Sequence, residues 1–141
     1  MATKTDFTPE QWEALAFAVT DAMMFVSVAN GPHFWESMSE STAAARFLVD
    51  QTKTSPSTLV RDLAMDAGHH RDKTVKDPTQ MEAITLERVS AAAGIVAGVD
   101  PEELEAFKGL VLGVADAAAE AKNGVDEQES AAIEKIRVAL G

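Results

Sequence analysis

Apolar residues along the chain recur at spacings of three and four, the period of a helix with one buried face. In the first such stretch Trp12, Leu15, Ala16, Val19, Met23 and Val26 fall together, predicting a helix from Pro9 to about Ala29 that Asn30-Gly31-Pro32 stops. Four of the five prolines follow a residue able to cap a helix: Thr8-Pro9, Ser55-Pro56, Asp77-Pro78 and Asp100-Pro101. The cap oxygen accepts a backbone N–H that has no partner within the helix, and proline in the next position needs no N–H and already holds a helical φ. Each pair therefore predicts a helix start.

A second helix is expected from Ser37 or Ser39, with Ser37 and Glu40 spaced as a capping box, through Ala43, Ala44, Phe47 and Leu48 to about Gln51. The third, from Pro56, carries Leu59, Val60, Leu63 and Ala64 and ends at Gly68, after which His69 to Lys76 reads as the longest loop. The fourth runs from Pro78 to about Ala97 with Met81, Ile84, Val89, Ala92, Ile95 and Val96 inward, and its run Ala91-Ala92-Ala93-Gly94 is small enough for a neighbouring helix to approach closely. A fifth is expected from Pro101 to about Lys122. The sixth, from Asp126 to Leu140, carries Ile133, Ile136, Val138 and Leu140, behind a capping box of Asp126 and Glu129. Strand signals are lacking, since there is no tyrosine and no hairpin dipeptide between alternating β-branched runs. The expectation is a single all-α domain over residues 1–141, a compact bundle of about six helices.

The two ends of the chain echo each other. Thr8-Pro9-Glu10-Gln11-Trp12-Glu13-Ala14 parallels Asp100-Pro101-Glu102-Glu103-Leu104-Glu105-Ala106, and both helices then carry Val-x-Asp-Ala (Val19 to Ala22, Val114 to Ala117) before an Asn-Gly turn. Cap chemistry converging on similar helices is one account. The other is a pair of pseudo-symmetric helical hairpins packed around the middle helices.

Within the second copy, Ala121-Lys122-Asn123-Gly124-Val125-Asp126-Glu127-Gln128-Glu129 lies between a small-residue helix and an amphipathic one. This segment resembles the turn of the TerB-like family of tellurite-resistance-associated proteins, with Asn123 where that family usually has aspartate. The resemblance implies an all-helical pseudo-symmetric fold and a metal-associated or scaffold role in stress response, without an established reaction.

Charge narrows the choice of partner. The net charge is -11, with 46% hydrophobic and 25% charged residues, a pI near 4.6 and a mean hydropathy of -0.06. Residues 1–45 hold one basic and six acidic side chains, residues 46–88 seven of each, and residues 89–141 four basic and ten acidic. Such acidic ends repel a phosphate backbone, so nucleic acid is not an expected partner, whereas cations or basic proteins are. Met1 to Asp6 is polar and no run of 18 apolar residues occurs, so a cytoplasmic protein without a membrane span is expected. The lack of cysteine removes disulfides, thiolate metal sites and cysteine nucleophiles.

No serine-hydrolase elbow, phosphate loop or dinucleotide fingerprint is present, and the reading is of a non-enzymatic protein. The expected cofactor, if any, is a divalent cation. Asp116 and Glu120 are four apart and share a helix face, while Asp126 and Glu129 begin the next helix, and together they offer a hard cation several carboxylate oxygens. Asp21 is the counterpart of Asp116. The same residues also read as a capping box and a solvated helix face. An EF-hand is excluded, because placing Gly124 at its sixth position puts Ala119 and Ala121 where carboxylates are required. The segment Asp66-Ala67-Gly68-His69-His70-Arg71-Asp72 has zinc-type donors but reads equally as a solvated loop. A protein partner or homo-oligomer is the competing expectation, through an apolar surface of Met24, Phe25, His33, Phe34 and Trp35; the alternative is burial of Met24 and Phe25 between helices and packing of Phe34 and Trp35 onto the core.

Overall fold

A computed structural model describes residues 3–28, 43–67, 78–120 and 127–141, and among them the fold is all-α. The helices are α1 (Pro9–Val28), α2 (Ala43–Thr54), α3 (Thr58–Ala67), α4 (Pro78–Val99), α5 (Leu104–Glu120) and α6 (Glu127–Leu140), with single 3-10 turns at Lys4–Asp6 and Pro101–Glu103. The stops at Asn30-Gly31-Pro32 and Asn123-Gly124, the start near Ser37 or Ser39 and the cap at Asp126 lie outside the described residues.

The caps act much as the sequence pattern predicts. Thr8 Oγ1 accepts the Gln11 N–H at 3.1 Å while Gln11 Oε1 accepts the Thr8 N–H at 2.9 Å, a reciprocal capping box. Phe7 and Trp12 flank it with ring centroids 5.8 Å apart, fixing how the chain enters α1. Asp100 Oδ1 accepts the Glu102 N–H at 3.1 Å, although the turn it caps is 3-10 before α5 begins. At α3 the start moves from Pro56 to Thr58. The reason is Ser57, whose Oγ accepts the Val60 N–H at 3.2 Å and donates to Glu103 Oε2 at 2.7 Å, so the cap is also a tie to the start of α5. Both side chains are buried.

α1 and α5, rather than the middle helices, form the centre of the bundle: α1 packs most extensively on α4 and α5, and α5 in turn meets α2, α6, α4 and α3. They can be central because apolar and small residues surround most of their circumference. In α1, Leu15, Ala16, Ala18, Val19, Ala22, Met24 and Val26 are all buried; in α5, so are Phe107, Leu110, Val111, Val114, Ala115, Ala118 and Ala119. Each fully buried Leu, Val or Phe contributes roughly 1.5–3 kcal/mol relative to exposure. The contacts repeat in part when α1 is exchanged with α5, α2 with α6 and α3 with α4: α2 packs on α3 and crosses to α5, as α6 packs on α4 and crosses to α1. The exchange is incomplete, because α6 also packs on α5 and α2 has no comparable contact with α1.

The small run 91–94 places Ala92 and Ala93 in the core, but Gly94 faces open space. The close approach occurs instead at Gly113 of α5. The Phe47 ring of α2 lies over it, so that an added Cβ would overlap Phe47 Cζ and come within 2.9 Å of Cε2.

Candidate functional site

The clearest arrangement of charged groups joins α1 to α4. Asp21 sits mid-way along α1 and is only 5% exposed, because the residues on either side of it face the core. Arg88 of α4 reaches it with Nη1 2.6 Å from Oδ2. The Arg88 guanidinium lies over the Phe17 ring, 4.9 Å from its centroid, so it is held by a carboxylate at one end and an aromatic face at the other. Thr85, fully buried one turn earlier on α4, donates to the Asp21 carbonyl at 3.4 Å. Beside this pair lies an open depression of about 250 Å³ lined by Glu10, Glu13, Ala14, Phe17 and Arg88. Glu10 and Glu13 are exposed. With Asp21 matched to Arg88, these two carboxylates leave the depression net negative beside a half-buried aromatic ring. A cationic side chain fits that chemistry.

The predicted cation ligands take different environments. Asp21 is buried and paired, so its carboxylate is engaged by Arg88 rather than presented to solvent. Asp116 is exposed on α5. The side chains of Glu120, Asp126 and Glu129 lie outside the described ones. Among the described residues no three His, Asp or Glu side chains converge as a metal site requires. Asp66 instead accepts from Trp12 Nε1 at 2.9 Å and Lys4 Nζ at 2.8 Å, pinning the N-terminal turn to the end of α3. His69, His70 and Asp72 are outside the described residues.

The predicted apolar partner surface is corrected in part. Met24 and Phe25 are 1% and 7% exposed and belong to the core, because α1 is surrounded on more than one side. His33, Phe34 and Trp35 lie outside the described residues. An apolar surface does occur elsewhere, between α4 and α6. There a shallow groove of about 500 Å³ is lined by Leu86, Ala131, Val138 and Ala139, with Glu134 and Lys135 beside them. Val138, one of the apolar groups expected of the last helix, is 74% exposed.

Glu10, Glu13 and Arg88 were not singled out by motif. Glu10, Glu13 and Phe17 sit at positions i, i+3 and i+7 of α1, a spacing that places them on one face. No family model matches the chain, and no curated protein or solved structure matches it. Among the described residues, no helix is long and apolar enough to cross a membrane.

Proposed function

We propose that this chain is a non-enzymatic, TerB-like helical protein that works by binding, taking a basic protein surface on its acidic face in a stress or metal-resistance context. The observation that carries the reading is the depression between α1 and α4, where Glu10 and Glu13 stand exposed beside the Phe17 ring. A lysine or arginine side chain entering it gains two carboxylates, and the -11 net charge steers basic partners towards the protein. The resemblance of the 121–129 turn supplies the family and the physiological setting of the proposal.

The test is titration with a short lysine- and arginine-rich peptide by calorimetry. Binding is expected to weaken as salt rises. The double variant Glu10→Gln/Glu13→Gln should weaken it roughly fivefold to thirtyfold, at about 0.5–1 kcal/mol per exposed charge contact. Binding that ignores both substitutions overturns the reading.

A divalent cation at the α5–α6 hairpin is the second reading, favoured by the exposed carboxylate of Asp116 one turn before Glu120. It predicts that calcium, magnesium, manganese or zinc raises the melting temperature and that a chelator reverses the rise, because a ligand that binds only the folded state stabilises it. A response unaffected by Asp116→Ala and Glu120→Ala refutes it.

A further inference from the structure

The groove between α4 and α6 has a property that depends only on the order of residues along α6. Ala131, Glu134, Lys135 and Val138 occupy positions i, i+3, i+4 and i+7, which lie on one helix face, and all four are exposed. Laid antiparallel against an identical helix, with a twofold axis between residues 134 and 135, this face meets its own complement. Ala131 then opposes Val138 of the second copy, so that the large side chain faces the small one. Glu134 opposes Lys135, giving two symmetry-related opposite-charge pairs, and Ser130 opposes Ala139, where both side chains are small. An isologous dimer requires this kind of self-complementarity.

We propose that α6 is a homodimerisation surface, in which Val138 of each copy enters the α4–α6 groove of the other beside Leu86. Charge complementarity and the 74% exposure of Val138 select a second copy as the occupant. The ion pairs that α6 makes within one copy do not compete strongly. Arg137–Glu134 has side chains 56% and 60% exposed, and Lys135–Glu82 has side chains 52% and 34% exposed; exposed pairs of this kind are worth little and rearrange readily. The proposal goes beyond the binding of a basic partner and does not rest on it.

A seam of one 14-residue helix per copy is small for a stable interface, so the dimer should dissociate on the order of 10–100 μM. Two chains of charge -11 also repel. Raising salt from about 10 mM to 150 mM shortens the Debye length from about 30 Å to 8 Å and should strengthen the dimer, the opposite of its expected effect on a basic peptide.

Sedimentation equilibrium of the full chain between about 1 μM and 1 mM tests the proposal. The expected result is a monomer–dimer equilibrium that Val138→Glu weakens about tenfold or more without lowering the melting temperature of the dilute monomer at about 1 μM, since the side chain is solvent-exposed there. Glu134→Lys alone should also weaken it, and Glu134→Lys/Lys135→Glu should restore it, because the exchanged charges again oppose each other across the axis. A monomer throughout the range overturns the proposal. So does a dimer indifferent to Val138→Glu, or one that the double exchange does not rescue. Val138→Glu destabilising a monomeric chain would show instead that a segment of the same chain covers the groove. Glu10→Gln/Glu13→Gln should leave the dimer intact, which separates this outcome from that of the basic-partner reading.

Discussion

If Asp21 is held by Arg88, removing the arginine takes the opposite charge away from a carboxylate buried between two helices. The Asp21 side chain is 7% exposed and that of Arg88 31%, so the carboxylate is the deeply placed member of the pair. Breaking a buried pair from one side costs about 3–5 kcal/mol, and the partial exposure of Arg88 admits enough water to put the expected loss near the lower limit, about 3 kcal/mol. Arg88→Met is the appropriate change because it keeps an unbranched apolar stem over Phe17. At roughly 2–4 °C per kcal/mol for a domain of this size, the melting temperature should fall by about 6–12 °C. Asp21→Leu/Arg88→Met replaces the charges with apolar groups and should recover about 2 kcal/mol or more of that loss, a coupling measurable by a double-mutant cycle in urea. Unchanged dependence on urea concentration would confirm that the folded states are being compared. An Arg88→Met loss below about 1 kcal/mol, or single losses that simply add, would refute the pairing. A divalent cation that stabilised Arg88→Met but not Asp21→Asn/Arg88→Met would then return Asp21 to the role of a ligand.

Two further perturbations follow from particular contacts. Gly113→Ala gains about 1 kcal/mol of helix propensity but pushes a Cβ into the Phe47 ring, at a cost of about 1–3 kcal/mol, so it should be neutral or destabilising in thermal unfolding, whereas Gly94→Ala, with nothing within 4 Å, should stabilise by about 0.5–1 kcal/mol; equal effects at the two sites would refute the packing of α2 on α5. Ser57→Ala removes both the α3 cap and the hydroxyl that donates to buried Glu103, and should cost about 2 kcal/mol or more in urea denaturation, with Ser57→Thr retaining most of the stability; a loss near 0.5 kcal/mol would show that the tie to Glu103 contributes nothing.

What the sequence made legible was the chemistry that acts over a few residues. Thr8 and Asp100 cap within three positions of themselves, and helical periodicity identifies the inward face wherever a helix has only one. That local logic weakens at α1, where Met24 and Phe25 look like spare apolar surface because a single stripe already accounts for a core. They are buried because α4, α5, α3 and α6 all pack on α1, and the number of neighbours around a helix is a property of the whole fold. Val138 shows the converse: it is as apolar as Ile133, Ile136 and Leu140, but those three lie at i, i+3 and i+7 on one face, whereas Val138, two residues from Ile136 and from Leu140, falls on the opposite side and stays outside. The partner of Asp21 lies 67 residues away, beyond any local pattern. A signal was nevertheless present, since Ala18, Met24 and Phe25, three or four residues from Asp21, share its side of the helix, and a carboxylate drawn in among apolar neighbours requires an opposite charge. Arg88 answers that requirement, being the one basic residue within α4. The same reasoning separates structure from function in the acidic surface. A carboxylate that the fold must neutralise, such as Asp21, is committed to stability, while Glu10, Glu13 and Asp116 face solvent and keep the charge on which the proposed binding of a cationic partner rests.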